Sequence, residues 1–271
     1  MEQNKQRIVV KVGTSTLTHN SGALDLWSME HLVRTLADLQ GMGHEVILVS
    51  SGAIAVGTAK LGLSERPKEL RMKQAAAAVG QCRMMHIYDK FFSEYNRSMA
   101  QILLTGDDVE DPERAEHLSN TFSALLEMGV IPVVNENDSV SSAEIETGRH
   151  KVLGDNDTLS AIVAELCRAD LLVLLSDIDG LYTADPHTDP QHAQLIPTVE
   201  KLTPQIMKLG GGVGSAFATG GMATKLQAAA ICMEEGCDMV IMNGTQVKQL
   251  YDVLNGAPVG TRFLGNHNKE K

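Results

Sequence analysis

Residues 8–15 read Ile-Val-Val-Lys-Val-Gly-Thr-Ser, an apolar, β-branched run that carries one lysine and ends in small residues. Such a run predicts a buried β-strand. Similar runs recur between longer segments rich in Ala, Leu and Met: Val46 to Val49, Gln101 to Leu104, Val130 to Val134, Leu171 to Leu175 and Met239 to Met242. Because nearly continuous apolar strands alternate with helices, we predict an α/β fold, a three-layer αβα sandwich with a mostly parallel central sheet.

The segments between the apolar runs predict helices. We expect helices at Leu26 to Gln40, Pro67 to about Phe92, Glu113 to Met128, Thr158 to Arg168 and Met222 to Glu235. The longest irregular stretch, Asp179 to Leu195, offers a border between two lobes. We therefore predict one domain over residues 1–271, with an N-terminal lobe of about residues 1–170 and a C-terminal lobe of about residues 171–265.

The composition argues against several classes of protein. With a formal net charge of −11, the chain is not expected to bind nucleic acid. No apolar run approaches the roughly 20 residues that cross a bilayer, and the polar N-terminus lacks the features of a secretory signal, so we expect a cytoplasmic protein without membrane contact. The four cysteines and nine histidines lack the spacings of a zinc site, so any essential metal is expected to arrive with the substrate.

Small residues follow the predicted strands, at the edge where open α/β folds bind ligands. Gly13-Thr14-Ser15 and Ser51-Gly52 could each present backbone NH groups to a phosphate or carboxylate. Each alone is also consistent with an ordinary turn, but together they favour a site. Glycines from Gly210 to Gly214 are consistent with a surface loop, whereas Thr219 to Lys225 leads into a helix and could bind a nucleotide phosphate.

The sequence contains neither a P-loop nor a dinucleotide-binding glycine motif after the first strand. Phosphoryl transfer could instead use Lys11 and Lys225, because the reaction requires mainly positioning and charge neutralisation. Lys11 interrupts an apolar strand, which a surface lysine would not explain. The clusters Asn135 to Asp138 and Gly154 to Asp157 could bind an ammonium group and orient the lysines, although capping of the next helix would also explain part of the second cluster.

These motifs together resemble the amino acid kinase family, in particular its members that phosphorylate glutamate. The resemblance runs from about Arg7 to Leu264 and rests on Lys11 to Ser15, Val49 to Ile54, Lys73-Gln74, Asn135 to Asp138, Gly154 to Asp157, Asp179 to Pro186 and Thr219 to Lys225. It implies ATP-dependent phosphorylation of the γ-carboxylate of L-glutamate, the first step of proline biosynthesis. It also implies Mg2+ with ATP, inhibition by proline, and a homo-oligomer, either a dimer or a tetramer.

The resemblance assigns roles to individual positions. Lys11 and Lys225 would stabilise the transferring phosphoryl group, and Asp157 would orient them. Positions that match glutamate-binding residues, or lie beside them, are Ser51, Gly52, Asp138, Asp155 and Asn156. Positions that match the nucleotide site are Lys11, Gly13, Ser176, Asp177, Thr219, Gly220, Gly221, Met222, Ala223, Thr224 and Lys225. The resemblance names no direct metal ligand.

The sequence departs from the family pattern in four places. The segment Glu146 to Leu153 is longer than usual, Ala218 replaces a common glycine, and Ser176 replaces a common threonine. We also expect a short form, since 271 residues leave no room for the C-terminal PUA domain of long members. Three alternatives remain open: a kinase for acetylglutamate, aspartate, carbamate or a nucleoside monophosphate; a non-catalytic sensor of proline or ATP; and a dehydrogenase, which the missing glycine motif disfavours.

Overall fold

The computed structural model describes residues 5–19, 21–140, 155–186, 188–211 and 221–267. Its strands are β1 (Arg7–Val12), β2 (Glu45–Ser50), β3 (Met99–Leu104), β4 (Ile131–Glu136), β5 (Leu171–Ser176), β6 (Thr198–Val199), β7 (Asp238–Asn243) and β8 (Thr261–Phe263). Its helices are α1 (Thr14–Leu17), α2 (Leu26–Gly41), α3 (Ala53–Lys60), α4 (Leu70–Glu94), α5 (Gly106–Glu110), α6 (Pro112–Glu127), α7 (Asn156–Leu166), α8 (Pro204–Leu209), α9 (Met222–Glu234) and α10 (Leu250–Leu254).

The strands form one sheet with β1 near its centre. Their order is β3-β4-β2-β1-β5-β7-β8-β6. β1 pairs in parallel with β2 and with β5, and the pairing of β7 with β8 is antiparallel. The predicted α/β fold with a mostly parallel sheet is thus confirmed, and each of the six predicted strands lies within two residues of an observed one.

The alternation of side chains along β1 decides which layer each residue joins. Val10 and Val12 pack with α2 and α4 on one face, whereas Val9 packs with α6, α7 and α9 on the other. Because successive residues of a strand point to opposite faces, Lys11 lies on the same face as Val9. The strand geometry therefore directs the lysine toward α7 and α9.

The predicted start of the long helix at Pro67 is wrong. α4 begins at Leu70, after an extended Glu69 with φ −73° and ψ 132°. Residues 61–66 are all exposed, and the first buried residue of α4 is Ala76. No packed apolar face therefore extends the helix back to Pro67, and proline's compatibility with a first helical turn is not enough by itself. None of the described helices is long and apolar enough to span a membrane.

α3 and α4 cross at two glycines. A Cβ atom on Gly57 would lie 1.7 Å from the carbonyl oxygen of Ala76, and one on Gly80 would lie 1.8 Å from that of Ala53. Only glycine permits backbones to approach this closely. Since α3 directly follows the Ser51-Gly52 turn at the end of β2, the crossing also fixes the position of that turn.

We predict that Gly80→Ala destabilises the protein by about 3 kcal/mol or more, because the added methyl forces two backbones apart. Urea unfolding of the variant and the wild type measures the difference. Ala78→Ser, at an exposed position of the same helix, is the control and should have nearly wild-type stability. Wild-type stability of Gly80→Ala would contradict the close crossing.

Candidate active site

Three charged side chains meet above the carboxyl end of β1. Lys11 Nζ lies 2.6 Å from Asp157 Oδ1, and Lys225 Nζ lies 3.0 Å from Asp157 Oδ2. Lys11 belongs to the end of β1, whereas Asp157 and Lys225 lie in the first turns of α7 and α9. Two lysines that are 214 residues apart in sequence, 225 minus 11, therefore share one carboxylate.

This cluster of Lys11, Asp157 and Lys225, here called the lysine pair and its carboxylate, is buried. The three residues are 9%, 1% and 6% exposed. Burial alone raises the pKa of Asp157, but the two ammonium groups outweigh it and hold that pKa below its ordinary value. Thr224 Oγ1 adds a hydrogen bond of 3.0 Å to Asp157 Oδ2. Two ammonium groups therefore lie on one carboxylate, and both are positioned to attract an incoming anion.

The first turn of α7 positions Asp157. Asp155 caps this helix by accepting hydrogen bonds from the backbone NH groups of Asp157 at 2.6 Å and Thr158 at 3.0 Å. The helix therefore begins at Asn156 rather than at the predicted Thr158. One aspartate of the sequence cluster acts as a cap, as the alternative interpretation required. The side chains of Asn156 and Asp157 do not cap the helix and make contacts elsewhere in the site.

The turn after β2 brings small residues to the same edge. Gly52 has φ +102°, a left-handed conformation that favours glycine, and a Cβ atom there would touch the side chain of Thr14 at 3.4 Å. Ser51 Oγ donates a hydrogen bond of 3.0 Å to the carbonyl oxygen of Val12. The turns that follow β1 and β2 therefore pack against each other.

The pKa of Asp138, which lies just after β4, is raised. Burial, followed by the negative charge of Glu136, raises the pKa of Asp138 to about 6, and Arg66 opposes the rise. Asp155 shows the same direction, because burial and the neighbouring Asp157 raise its pKa. For both carboxyl groups a cationic ligand group nearby would favour the charged form and lower the pKa.

One cavity of about 540 Å3 connects these elements. Its lining comprises Lys11, Gly13, Thr14, Ser15, Ser51, Gly52, Ala53, Ile54, Ala55, Arg66, Asn135, Asp138, Asp155, Asn156, Asp157, Leu175, Ser176, Asp177 and Lys225. The lysine pair and its carboxylate share this cavity with residues that follow β2, β4 and β5. A cavity of this size suits a small ligand beside a phosphate chain.

Comparison with known proteins identifies the family of this chain. A profile of the amino acid kinase family matches residues 6–243. The chain belongs to the amino acid kinase family. It is 50% identical to the glutamate 5-kinase of Clostridium perfringens, over 97% of this chain and 96% of that protein. It is 53% identical to the glutamate 5-kinase of Clostridium tetani, over 95% and 94% respectively.

The fold of this amino acid kinase is also similar to that of solved structures. A carbamate kinase from Giardia lamblia bound to AMP-PNP superposes with a TM-score of 0.66, covering 98% of this chain and 100% of that one. The sequence identity is 16%, so this similarity concerns the fold alone.

Most site residues predicted for this amino acid kinase come together. Those that line the cavity are Lys11, Gly13, Ser51, Gly52, Asp138, Asp155, Asn156, Asp157, Ser176, Asp177 and Lys225. Gly221 caps α9, and Thr224 contacts Asp157, but neither they nor Met222 and Ala223 are among the lining residues. Thr219 and Gly220 lie outside the described residues, as does the segment Glu146 to Leu153.

Sequence reasoning missed several lining residues of this kinase. Thr14, Ser15 and Asn135 belong to motifs that were predicted to bind an anion or an ammonium group, but they were not singled out as site residues. Their position at strand ends was the available signal. Arg66 carried no signal, because it lies in an exposed segment without periodicity. Only folding brings the charged Arg66 side chain to the site.

Within the described residues, no group of three or more His, Cys, Asp or Glu side chains is placed to hold a metal ion. Asp155 and Asp177 both line the cavity, so carboxylate oxygens are present near the lysine pair. Mg2+ is usually held by one or two carboxylates together with phosphate and water oxygens. This donor set fits an ion that enters with a nucleotide.

Proposed function

We propose that this chain transfers the γ-phosphoryl group of ATP to the γ-carboxylate of L-glutamate, giving γ-glutamyl phosphate and ADP, as the first step of proline biosynthesis. The observation that carries the proposal is the buried lysine pair and its carboxylate, at one wall of a cavity that also contains Ser51, Asp138 and Asn156. Identity of about half to glutamate 5-kinases over nearly the whole chain supports glutamate as the acceptor.

In this mechanism a γ-carboxylate oxygen attacks the γ-phosphorus, a new O–P bond forms, and the bond to the β,γ-bridging oxygen breaks. Negative charge moves toward the leaving ADP. Lys11 and Lys225 stabilise the charge on the transferring group, and Asp157 holds their ammonium ends in place. No proton needs to be removed from the attacking group, so the site requires cations rather than a general base.

Binding of glutamate uses other residues that line the same cavity. Asp138 and the side-chain oxygen of Asn156 are the acceptors for the substrate ammonium group. Ser51 belongs to the turn that packs on Thr14 and lines the same cavity. The division into lobes follows from this proposal. The residues assigned to glutamate precede residue 170. Most residues assigned to ATP, among them Ser176, Asp177 and Lys225, follow it, whereas Lys11 and Gly13 come from the end of β1.

Mg2+ is proposed to accompany ATP. When bound, the ion neutralises charge on the β- and γ-phosphates, and Asp155 and Asp177 are the carboxylates at hand to hold it. Inhibition by proline, assembly into dimers or tetramers, and a cytoplasmic location are further parts of the proposal. The four free cysteines, three of them buried, suit a reducing compartment.

An ATP-dependent hydroxamate assay tests the function. Hydroxylamine attacks the acyl carbon of γ-glutamyl phosphate and releases phosphate, so glutamate, ATP and Mg2+ should together yield γ-glutamyl hydroxamate. The panel of acceptors includes acetylglutamate, aspartate, carbamate and a nucleoside monophosphate, with ADP release as the common readout. Faster turnover with one of these than with glutamate would assign the chain another acceptor, and no turnover with any acceptor would favour a sensor.

We predict that glutamate binding weakens as the pH falls below about 6, the pKa of Asp138. The substrate ammonium group binds the ionised carboxylate, so protonation of Asp138 removes the attraction. The expected result is a KM for glutamate that rises about ten-fold per pH unit well below this pKa, whereas Asp138→Asn has a high KM that is independent of pH in this range. A flat wild-type profile between pH 5 and pH 7 would remove Asp138 from this role.

A further inference from the structure

A series of three hydrogen-bonded side-chain amides begins at the half-buried Asn156 and continues to two buried residues. Asn156 Nδ2 donates to Asn135 Oδ1 at 3.2 Å, and Asn135 Nδ2 donates to Gln81 Oε1 at 2.9 Å. Asn135 is 2% exposed and Gln81 is 8% exposed. Gln81 lies in α4 and Asn135 in β4, so the amide series joins the helix layer to the cavity edge of the sheet.

The orientation of the amides in this hydrogen-bonded series is fixed at the Asn156 end. Asn156 Nδ2 also donates to the backbone carbonyl oxygen of Ser50 at 3.3 Å. A carbonyl only accepts, so the amide nitrogen of Asn156 must face Ser50 and Asn135. Asn135 must then offer its oxygen to Asn156 and its nitrogen to Gln81, and Gln81 must offer an acceptor. None of the three amides can flip without placing two donors or two acceptors opposite each other.

This orientation of the amides leaves Asn156 Oδ1 able to accept a hydrogen bond from a ligand. Asn156 lines the cavity, and within the described part of the chain its Oδ1 has no hydrogen-bond partner. A fixed amide oxygen at the cavity is suited to accept from an ammonium group. At the other end of the amide series one hydrogen bond is missing, because Gln81 Nε2 is buried without an acceptor.

Packing alone does not explain Gln81. A buried donor without an acceptor destabilises a fold, and an apolar side chain of similar volume would avoid that penalty. Gln81 is useful for its oxygen, which is the acceptor that Asn135 needs. We propose that Gln81 is a positioning residue for the acceptor substrate: through Asn135 it holds Asn156 with Oδ1 directed at the substrate ammonium group. The identity of that substrate as glutamate rests on the proposed function.

The test uses Gln81→Met, which keeps the length of the side chain and removes the oxygen. Asn135 then lacks an acceptor, and rotation of its amide toward Asn156 disturbs Oδ1 of Asn156. We expect the KM for glutamate to rise about ten-fold, the effect of losing one hydrogen bond, with little change in kcat or in the KM for ATP. If Gln81→Met does not fold, Gln81→Leu replaces it with the same expectation.

Two further variants separate positioning from packing. Gln81→Glu keeps an oxygen acceptor in the same shape and should restore the KM for glutamate to within about three-fold of wild type. Met85→Leu changes a residue one turn further along α4, with the same 8% exposure, and should leave the KM unchanged. The Met85 variant therefore reports on packing alone.

Three results would overturn the inference: a folded Gln81→Met with wild-type KM for glutamate, a Gln81→Glu as impaired as Gln81→Met, or an equal rise in the KM values for glutamate and ATP. Failure of the proposed function looks different, because wild type itself would then form no γ-glutamyl hydroxamate. In that case the same variants are compared with the acceptor that the panel identifies, and the KM for that acceptor decides.

Discussion

Lys225→Met should lower kcat by about 10³-fold, because it removes one of two cations that stabilise the transferring phosphoryl group. The fold should survive. Lys11 remains 2.6 Å from Asp157, so the variant retains a buried pair of one positive and one negative charge. The measurements are kcat from ADP release and the urea midpoint of unfolding.

The control is Lys248→Met, which removes a lysine that does not line this cavity. It should keep wild-type kcat. Unchanged turnover in Lys225→Met would remove Lys225 from the reaction, and loss of folding would show that the cation has a structural role that the geometry does not indicate.

Asp157→Asn should reduce both activity and stability, in contrast to the lysine variant. The substitution removes the carboxylate that both buried ammonium groups contact, and breaking a buried ion pair in this way destabilises a protein by about 3–5 kcal/mol. Turnover should also fall by about 10²-fold or more, because the lysines lose the group that orients them. Urea unfolding and kcat are measured on the same preparation.

The pH dependence of this stability difference has a definite sign. The pKa of Asp157 in the folded protein lies below its ordinary value of 3.8. Its contribution is therefore fully present above that ordinary value and is lost as the pH falls through the folded pKa. The difference between wild type and Asp157→Asn should be constant near neutral pH and shrink in acid. A difference that grows in acid would contradict the assignment.

The sequence was informative where a residue violated the pattern around it. A lysine in the apolar run of β1 indicated a functional role, because a buried strand rarely carries a charge. The alternation of side chains along that strand places the lysine on the face of α7 and α9. The six strands were predictable because buried parallel strands are nearly continuously apolar. The convergence of Lys225 with Lys11 on Asp157 is a long-range contact. The chemistry of phosphoryl transfer suggested that the two lysines act together, and the family resemblance singled out Asp157 as the residue that orients them.

Other features had no local signal. Gln81 lies on an Ala-rich helix, where a glutamine is normally expected to face solvent, and its burial depends on packing against β4. α3 was missed because its small residues give no amphipathic pattern, and its place depends on the glycine crossing with α4. The true start of α4 likewise depends on where packing begins rather than on Pro67.

The most direct test of the account follows oxygen atoms. L-glutamate with 18O in both γ-carboxylate oxygens is incubated with ATP, Mg2+ and hydroxylamine, and the released phosphate is analysed by mass spectrometry. Attack by the carboxylate on the γ-phosphorus predicts one 18O atom in each phosphate released with the hydroxamate, and a rate that falls in Lys225→Met as kcat does. Phosphate that carries no 18O, formed at the wild-type rate of ADP release, would contradict the account, because water and not glutamate would then receive the phosphoryl group.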